Sequence, residues 1–268
     1  MILAAGRGER MRPLTNSTPK PLLLAGGRAL IEYHLQRLAL AGVKEVVINT
    51  AYLGDQIQAR LGSMFTVFDS NFDELDTNKA CSLSILYSEE TKPLETAGGI
   101  LHALPLLGDA PFLLINGDVW TDYPFKSLLS RFSAIGSSEH AQNLAHVVLV
   151  DNPAHNATGD FSMVADKRKD IFTEGHHSVS GKAYLSEKHD DTEAYTFSGL
   201  SVINPKLLTA YPNKREKFSL AEILHFGVSR QQISAEFFNG QWRDIGTIER
   251  LQALDDDLKK EQKADELS

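Results

Sequence analysis

The chain has 268 residues, a net charge of −8 and a single cysteine, Cys81. Its ordinary globular make-up, 42% hydrophobic and 23% charged, with an acidic balance, argues against nucleic acid or an anionic membrane as partner, because both need a dominant basic surface. One cysteine excludes an internal disulfide framework and a multi-cysteine zinc site, no run approaches the roughly 18 apolar residues of a membrane span, and a soluble cytoplasmic protein is expected.

The apolar segment Met1–Ala5 runs into Gly6-Arg7-Gly8-Glu9-Arg10-Met11-Arg12-Pro13, and Thr18-Pro19-Lys20-Pro21 follows. Residues 1–20 hold four basic side chains and one acid, reversing the sign of the whole chain. A small, phosphate-bearing anion is the ligand this favours. Ile31, Leu35 and Leu38 predict a helix over Ile31–Leu40. Glu45–Asn49, Leu83–Tyr87, Phe112–Ile115 and His146–Val150 read as strands covered on both faces, with helices over Gly98–Leu107 and Phe125–Phe132. This alternation predicts βαβ crossovers and a mostly parallel sheet. Beyond residue 150, Phe161–Val164, Asp170–Phe172, Tyr195–Ile203 and Ile233–Phe238 suggest strands of a mixed or antiparallel part. A helix is expected over Leu220–Val228, and another from Thr247 with Ile248, Leu251, Leu254 and Leu258 on one face. Phe68–Ser82 and Ala134–Asn143 read as surface insertions, and the charged tail Asp255–Ser268 is expected to fray. No linker interrupts the series, so a single domain over 1–268 is expected.

A loop with glycines at 6 and 8 lets backbone N–H groups approach phosphate oxygens, since no Cβ intervenes. The dinucleotide pattern G-x-G-x-x-G fails at Met11, and no Gly-Lys-Ser/Thr follows to complete a P-loop. A phosphate loop reinforced by Arg7, Arg10 and Arg12 remains, against a plain surface turn with solvated arginines. Lys20 tips the balance toward function. Pro19 and Pro21 restrict its backbone, predicting a stiff, extended segment that presents one ammonium from a fixed position. Asn116-Gly117-Asp118 follows a buried strand at the end where open α/β sheets bind ligands, so Asp118 is placed to hold Mg²⁺ on a triphosphate, with Asp122 as competitor. In Trp242-Arg243-Asp244-Ile245-Gly246-Thr247, Asp244 is either a partner for the following helix start or a second carboxylate for the metal, should Thr247 do the capping. Among the nine histidines, His34 and His102 sit in helical segments and His176-His177 in a polar stretch, all read as structural or solvated.

Leu3–Pro13, Thr18–Pro21, Asn116–Asp118 and Trp242–Thr247 together resemble the sugar-1-phosphate nucleotidyltransferases, in order, over roughly residues 1–252. Pro93–Ile100, Asn116–Tyr123, Asp151-Asn152-Pro153, Gly159-Asp160-Phe161 and Thr196–Gly199 narrow the resemblance to members that uridylylate N-acetylmuramate α-1-phosphate in peptidoglycan recycling. The resemblance implies a Rossmann-like α/β fold in three α/β/α layers, its mostly parallel mixed central sheet flanked by helices. Residues 1–150 would then form a nucleotide-binding half, 151–246 a sugar-binding half and 247–268 a terminal helix and tail. It implies that Ala4, Ala5, Gly6, Gly8, Glu9, Arg10 and Lys20 meet the nucleotide with Glu95, Gly98 and Asn116, the Leu94–Gly99 loop bordering the uracil. Asn152 and Asp160 would lie near the sugar, Asp118 and Asp244 would bind Mg²⁺, and Arg10, Lys20 and Asp118 would be catalytic. UTP and a sugar 1-phosphate would be the ligands, and a monomer is expected. Three departures stand out: the Met-Ile-Leu-Ala-Ala-Gly string starts at Met1 and predicts a short first strand, the two insertions look long, and Ala97 stands where relatives carry glycine. The alternatives are another hexose-1-phosphate nucleotidyltransferase, such as a mannose-1-phosphate guanylyltransferase or a glucose-1-phosphate uridylyl- or thymidylyltransferase, and a non-catalytic nucleotide-sugar sensor.

Overall fold

Runs of β-branched and aliphatic residues become strands here because both their faces are covered, and amphipathic stretches become the covering helices. In the computed structural model, residues 1–68, 80–136, 143–165, 178–188 and 192–265 are described. The elements are β1 (Ile2–Leu3), β2 (Leu24–Ala25), β3 (Arg28–Ala29), α1 (Leu30–Leu40), β4 (Glu45–Thr50), α2 (Gly54–Leu61), β5 (Met64–Phe68), β6 (Ala80–Glu89), α3 (Glu95–Leu107), β7 (Phe112–Asn116), β8 (Val119–Thr121), α4 (Phe125–Ser130), β9 (Ala145–Val150), β10 (Phe161–Ala165), β11 (Ser178–Ser186), β12 (Ala194–Ile203), α5 (Pro205–Thr209), α6 (Leu220–Ser229), β13 (Ile233–Phe238), β14 (Trp242–Asp244) and α7 (Ile248–Asp265). Contacts group them into an amino-terminal unit, drawn from Ile2–Pro93, Asn116–Trp120 and the chain from Arg243, and a central unit, drawn from Met1, Leu94–Ile115 and Thr121–Trp242.

In the amino-terminal unit β4 runs parallel to β1 and β6, pairing Ile48 with Ile2 and Val46 with Ile85. β5 lies antiparallel to β6. The first strand is short, as expected, with two residues. The insertion expected over Phe68–Ser82 is narrower in the structure. Phe68 closes β5 and Ala80–Ser82 open β6, while 69–79 lie outside the described residues. The Asp- and Asn-rich composition of the stretch drew its two strand ends, Phe68 and Ala80–Ser82, into the expected insertion. Likewise Ala134 closes a 3₁₀ turn and Ile135 is buried, and 137–142 lie outside the described residues.

The tail does not fray at Asp255. α7 continues to Asp265, because Leu251, Leu254 and Leu258 bury against Met11, Leu23, Ala25, Leu30, Trp120 and Ile245. Asp255 also accepts the Gly26 N–H at 2.8 Å, and Gln262 donates to the Gly26 carbonyl at 3.0 Å. Three buried leucines are worth up to about 1.5–3 kcal/mol each, which outweighs the charge of the helix's outer face. Met11, fully buried in this cluster, explains why no glycine stands there.

The central unit is built on β9, buried along its whole length. β13 pairs with β9 in parallel, whereas β12 runs antiparallel to both β7 and β9, with a register shift between Phe197 and Ser201. β11 pairs antiparallel with β13 and β10 with β11. The mixed character is therefore stronger than strand–helix alternation suggests, since β12 enters without a helical crossover of its own. The strand expected at Asp170–Phe172 lies outside the described residues. A buried network closes this unit. Glu236 accepts from the Tyr123 hydroxyl and from Arg131, and the His146 ring nitrogen lies 3.4 Å from the same carboxylate.

Candidate active site

The loop after β1 is braced from behind. Ala4 N–H donates to Asn49 Oδ1 at 2.8 Å, and Asn49 Nδ2 donates to Glu90 Oε1 at 2.7 Å, so two buried polar side chains fix where the strand ends. A Cβ on Gly6 would meet nothing within 4 Å, leaving its backbone open to a ligand. Gly8 is constrained instead: its φ is +63°, and a Cβ would lie 2.9 Å from Thr15 Cγ2 and 3.2 Å from Lys20 Cβ. Thr15 donates its hydroxyl to the Gly8 carbonyl at 2.9 Å. Glu9, Arg10 and Met11 form a 3₁₀ turn with Met11 anchored in the core. The three arginines diverge. Arg7 lies 5.5 Å over the Tyr52 ring and Arg12 pairs with Glu9 at 3.8 Å. Arg10 Nη2 lies 3.1 Å from where a Cβ on Gly246 would sit.

Lys20 is not presented from an extended segment throughout. Pro19 is extended, but Lys20–Leu22 form a 3₁₀ turn with Pro21 as its second residue. A proline early in such a turn gives up no hydrogen bond the turn needs, so Pro21 stiffens the turn rather than preventing it. The buried Lys20 donates to Asp118 Oδ2 at 2.7 Å, its side chain 9% exposed against 40% for Asp118. Asp118 is delivered there by Gly117, whose N–H bonds to the Leu3 carbonyl at 2.9 Å and whose Cβ would sit 2.5 Å from that oxygen. Asn116 Oδ1, buried, has no hydrogen-bond partner among the described residues. The Asp118 carbonyl accepts the Ile245 N–H at 2.8 Å, which brings Asp244 alongside. Thr247 Oγ1 accepts the Arg250 N–H at 3.4 Å, so the threonine caps α7. Asp244 instead takes Arg250 Nη1 on Oδ2 at 2.6 Å. Asp122 belongs to the central unit, with its N–H on the Gln241 carbonyl, so Asp118 is the carboxylate that meets Lys20.

These residues fit a hard divalent cation. Asp118 and Asp244 supply carboxylate oxygens from adjoining strand ends, and each already holds a positive side chain, Lys20 or Arg250. Among the described residues no cluster of three or more His, Cys, Asp or Glu forms a protein-only cage. Mg²⁺ suits two carboxylates because it keeps water and phosphate oxygens for its other positions. His34 does not contribute: it is fully buried, and burial, then the Arg37 charge, push its pKa down to about 4. His176 and His177 lie outside the described residues.

The remaining candidates lie in the central unit. From Glu95 on, the Leu94–Gly99 stretch is helix and not loop. α3 starts at Glu95, three residues before the helix read from the sequence, because Ala97 and Gly98 N–H groups bond to the Phe218 carbonyl and Thr96 Oγ1 accepts from Leu220 N–H at 2.6 Å. Glu95 has φ +61° and pairs with Lys217 at 3.6 Å. A Cβ on Gly98 would collide with the Glu216 carbonyl. Asn152 accepts from the Thr196 hydroxyl at 2.9 Å and donates to the Ala194 carbonyl at 2.8 Å. Asp160 accepts from Asn156 Nδ2 and from the Phe197 N–H, both at 2.9 Å. Asn156 also donates to Thr196 at 3.1 Å, so Asn152 and Asp160 share one network.

The family model described as nucleotidyl transferase matches residues 1–261. The chain belongs to the nucleotidyl transferase family. It is 40% identical over 252 residues to an N-acetylmuramate alpha-1-phosphate uridylyltransferase of Neisseria meningitidis, covering 94% of both chains. It is 29% identical to a mannose-1-phosphate guanyltransferase of Kluyveromyces lactis, covering 92% of this chain and 60% of that one. A solved structure of a putative glucose-1-phosphate thymidylyltransferase from Bacillus anthracis superposes with a TM-score of 0.70 at 20% identity, covering 96% of this chain and 94% of that one. That likeness establishes the Rossmann-like α/β fold.

Within this nucleotidyl transferase, sequence reasoning missed Asn49, Glu90, Thr15 and Arg250. Asn49 carried a usable signal: a polar residue closes the apolar run Glu45–Asn49, as Asn116 closes Phe112–Ile115. Arg250 had none, since its role depends on α7 turning it back toward Asp244.

Proposed function

We propose that the protein transfers a uridylyl group from UTP to N-acetylmuramate α-1-phosphate, releasing pyrophosphate. The observation that carries this reading is the junction of Lys20, Asp118, Asp244 and Arg10 with the open glycine loop inside one unit. The uridylyl and muramate assignments draw support from the 40% identical relative. A sugar phosphate is already anionic at neutral pH, so its oxygen attacks the α-phosphorus without a general base. An oxygen–phosphorus bond forms, the bond to the β-phosphate bridging oxygen breaks, and pyrophosphate leaves with that electron pair. Repulsion between anions is the barrier, and positioning with neutralisation lowers it. Gly6 and Gly8 expose backbone donors to the phosphates, Arg10 draws charge toward the leaving group, and Lys20 steadies the α-phosphate. Asp118 and Asp244 would hold Mg²⁺, which supplies further neutralisation between phosphate oxygens when bound. Asn116, Glu95 and Gly98 are proposed to meet the nucleoside, and Asn152 and Asp160 to frame the sugar pocket. No helix of the described residues is long and apolar enough to cross a membrane; we place the enzyme, as a monomer, in the cytoplasm and in peptidoglycan recycling.

The test is pyrophosphate release with UTP or GTP and a panel of N-acetylmuramate, N-acetylglucosamine, glucose and mannose 1-phosphates. The highest kcat/KM is expected for UTP with the muramate. A preference for GTP with mannose 1-phosphate would favour the guanylyltransferase reading, and UTP binding without pyrophosphate release would favour a sensor.

A further inference from the structure

Both carboxylates assigned to the cation carry a protein cation in its place. Lys20 sits on Asp118 at 2.7 Å. Arg250 clasps Asp244 at two points, Oδ2 at 2.6 Å and the main-chain carbonyl at 3.2 Å. The Asp244 side chain is 19% exposed and Arg250 28%, so solvent only partly screens the pair. Gly246 has no side chain to separate these groups: a Cβ there would stand 3.1 Å from Arg10 Nη2, 3.1 Å from Asp244 Oδ2 and 3.2 Å from Arg250 Nη1. The arrangement is strongly cationic around two acids, and a bare divalent ion approaching it meets displaced ammonium and guanidinium charge. A nucleoside triphosphate changes that balance, because its phosphates give the displaced cations new partners.

We propose that Arg250 is a positioning residue which, together with Lys20, occupies the two carboxylates until a triphosphate arrives, so that the divalent cation enters with the nucleotide and not before it. This rests on the reading of Asp118 and Asp244 as the metal ligands. Arg250 touches neither reacting atom in this account. It sets the orientation and the charge of Asp244, and hands the carboxylate over when the phosphates come in. Lys20 does the same for Asp118 before taking its place beside the α-phosphate.

The experiment titrates the full-length protein with Mn²⁺ in the absence of nucleotide and follows free Mn²⁺ by electron paramagnetic resonance. Wild-type binding is expected to be weak. Arg250→Gln is expected to tighten it about tenfold, the scale of a partly exposed ion pair no longer competing. Arg250→Lys, which keeps the charge, is expected to stay near wild type, and the double variant R250Q/D244N to lose the gain. An unchanged or weaker affinity in a folded Arg250→Gln protein would overturn the inference, as would an equal gain in Arg250→Lys. Should Arg250→Gln not fold, Lys20→Met asks the same question at Asp118 and must tighten Mn²⁺ binding. Asp118→Asn and Asp244→Asn, measured with UTP present, separate the two levels. If they leave the ternary Mn²⁺ signal intact, the metal-ligand reading itself fails. If they abolish it while Arg250→Gln brings no gain, only the present inference falls.

Discussion

Two buried charge clusters, one in each unit, are built on opposite plans. In the central unit the carboxylate is sealed: Glu236 is 2% exposed and takes Tyr123, Arg131 and the His146 ring as neighbours. In the amino-terminal unit the cation is sealed and the carboxylate open, with Asp118 40% exposed over the buried Lys20. A sealed, satisfied carboxylate braces a fold, whereas an open one beside a fixed cation has coordination left to offer. The first cluster is read as structural and the second as chemical, and that division can be broken by substitution.

The largest effect is expected from Asp118→Asn, which should cut pyrophosphate release about a thousandfold while the melting temperature stays near wild type. A melting temperature that collapses with it would make the Lys20 pair a brace like the other. Glu236→Gln should do the reverse, lowering unfolding free energy by about 3 kcal/mol in denaturant titrations while turnover per folded molecule is kept. Asp160→Asn, which loosens the hold on Asn156 and Phe197, should raise KM for the sugar phosphate about tenfold with kcat changed little, the sign of lost binding common to ground and transition states. A loss confined to kcat would move Asp160 into the chemistry. The smallest signal is a pH dependence. Burial raises the Glu236 pKa, but His146, the Tyr123 hydroxyl and the Arg131 charge more than reverse this, bringing it from 4.5 to about 2. A depressed folded pKa stabilises the fold above the unfolded value and loses that contribution as pH falls. Wild type should therefore lose stability between pH 4.5 and about 2 more steeply than Glu236→Gln.

Much of this division was legible in the residues alone. Glycines, a lysine between prolines and acids at strand ends announce phosphate chemistry locally, and Lys20 and Asp118 do meet. Buried runs such as Phe112–Ile115 and His146–Val150 read correctly as strands because near-continuous apolarity leaves few alternatives. What stayed hidden depends on distant partners. The part of α7 from Asp255 onward looked like a fraying tail because it is held by Gly26, far away in sequence, which packs on Leu258 and bonds to Asp255. The end of β5 at Phe68 and the start of β6 at Ala80–Ser82 looked like part of an insertion because the stretch between them is rich in Asp and Asn. The Leu94–Gly99 stretch looked like a loop because its hydrogen bonds go to Phe218 and Leu220.

The central claim is that Lys20 and Asp118 act as one device on one triphosphate. Single-turnover pyrophosphate release from Lys20→Ala, Asp118→Asn and the double variant tests it. Lys20→Ala alone should cost about 3–4 kcal/mol in the barrier, and the double variant should be little slower than the worse single one, as for groups that work together. Losses that multiply would show two independent sites and contradict the account.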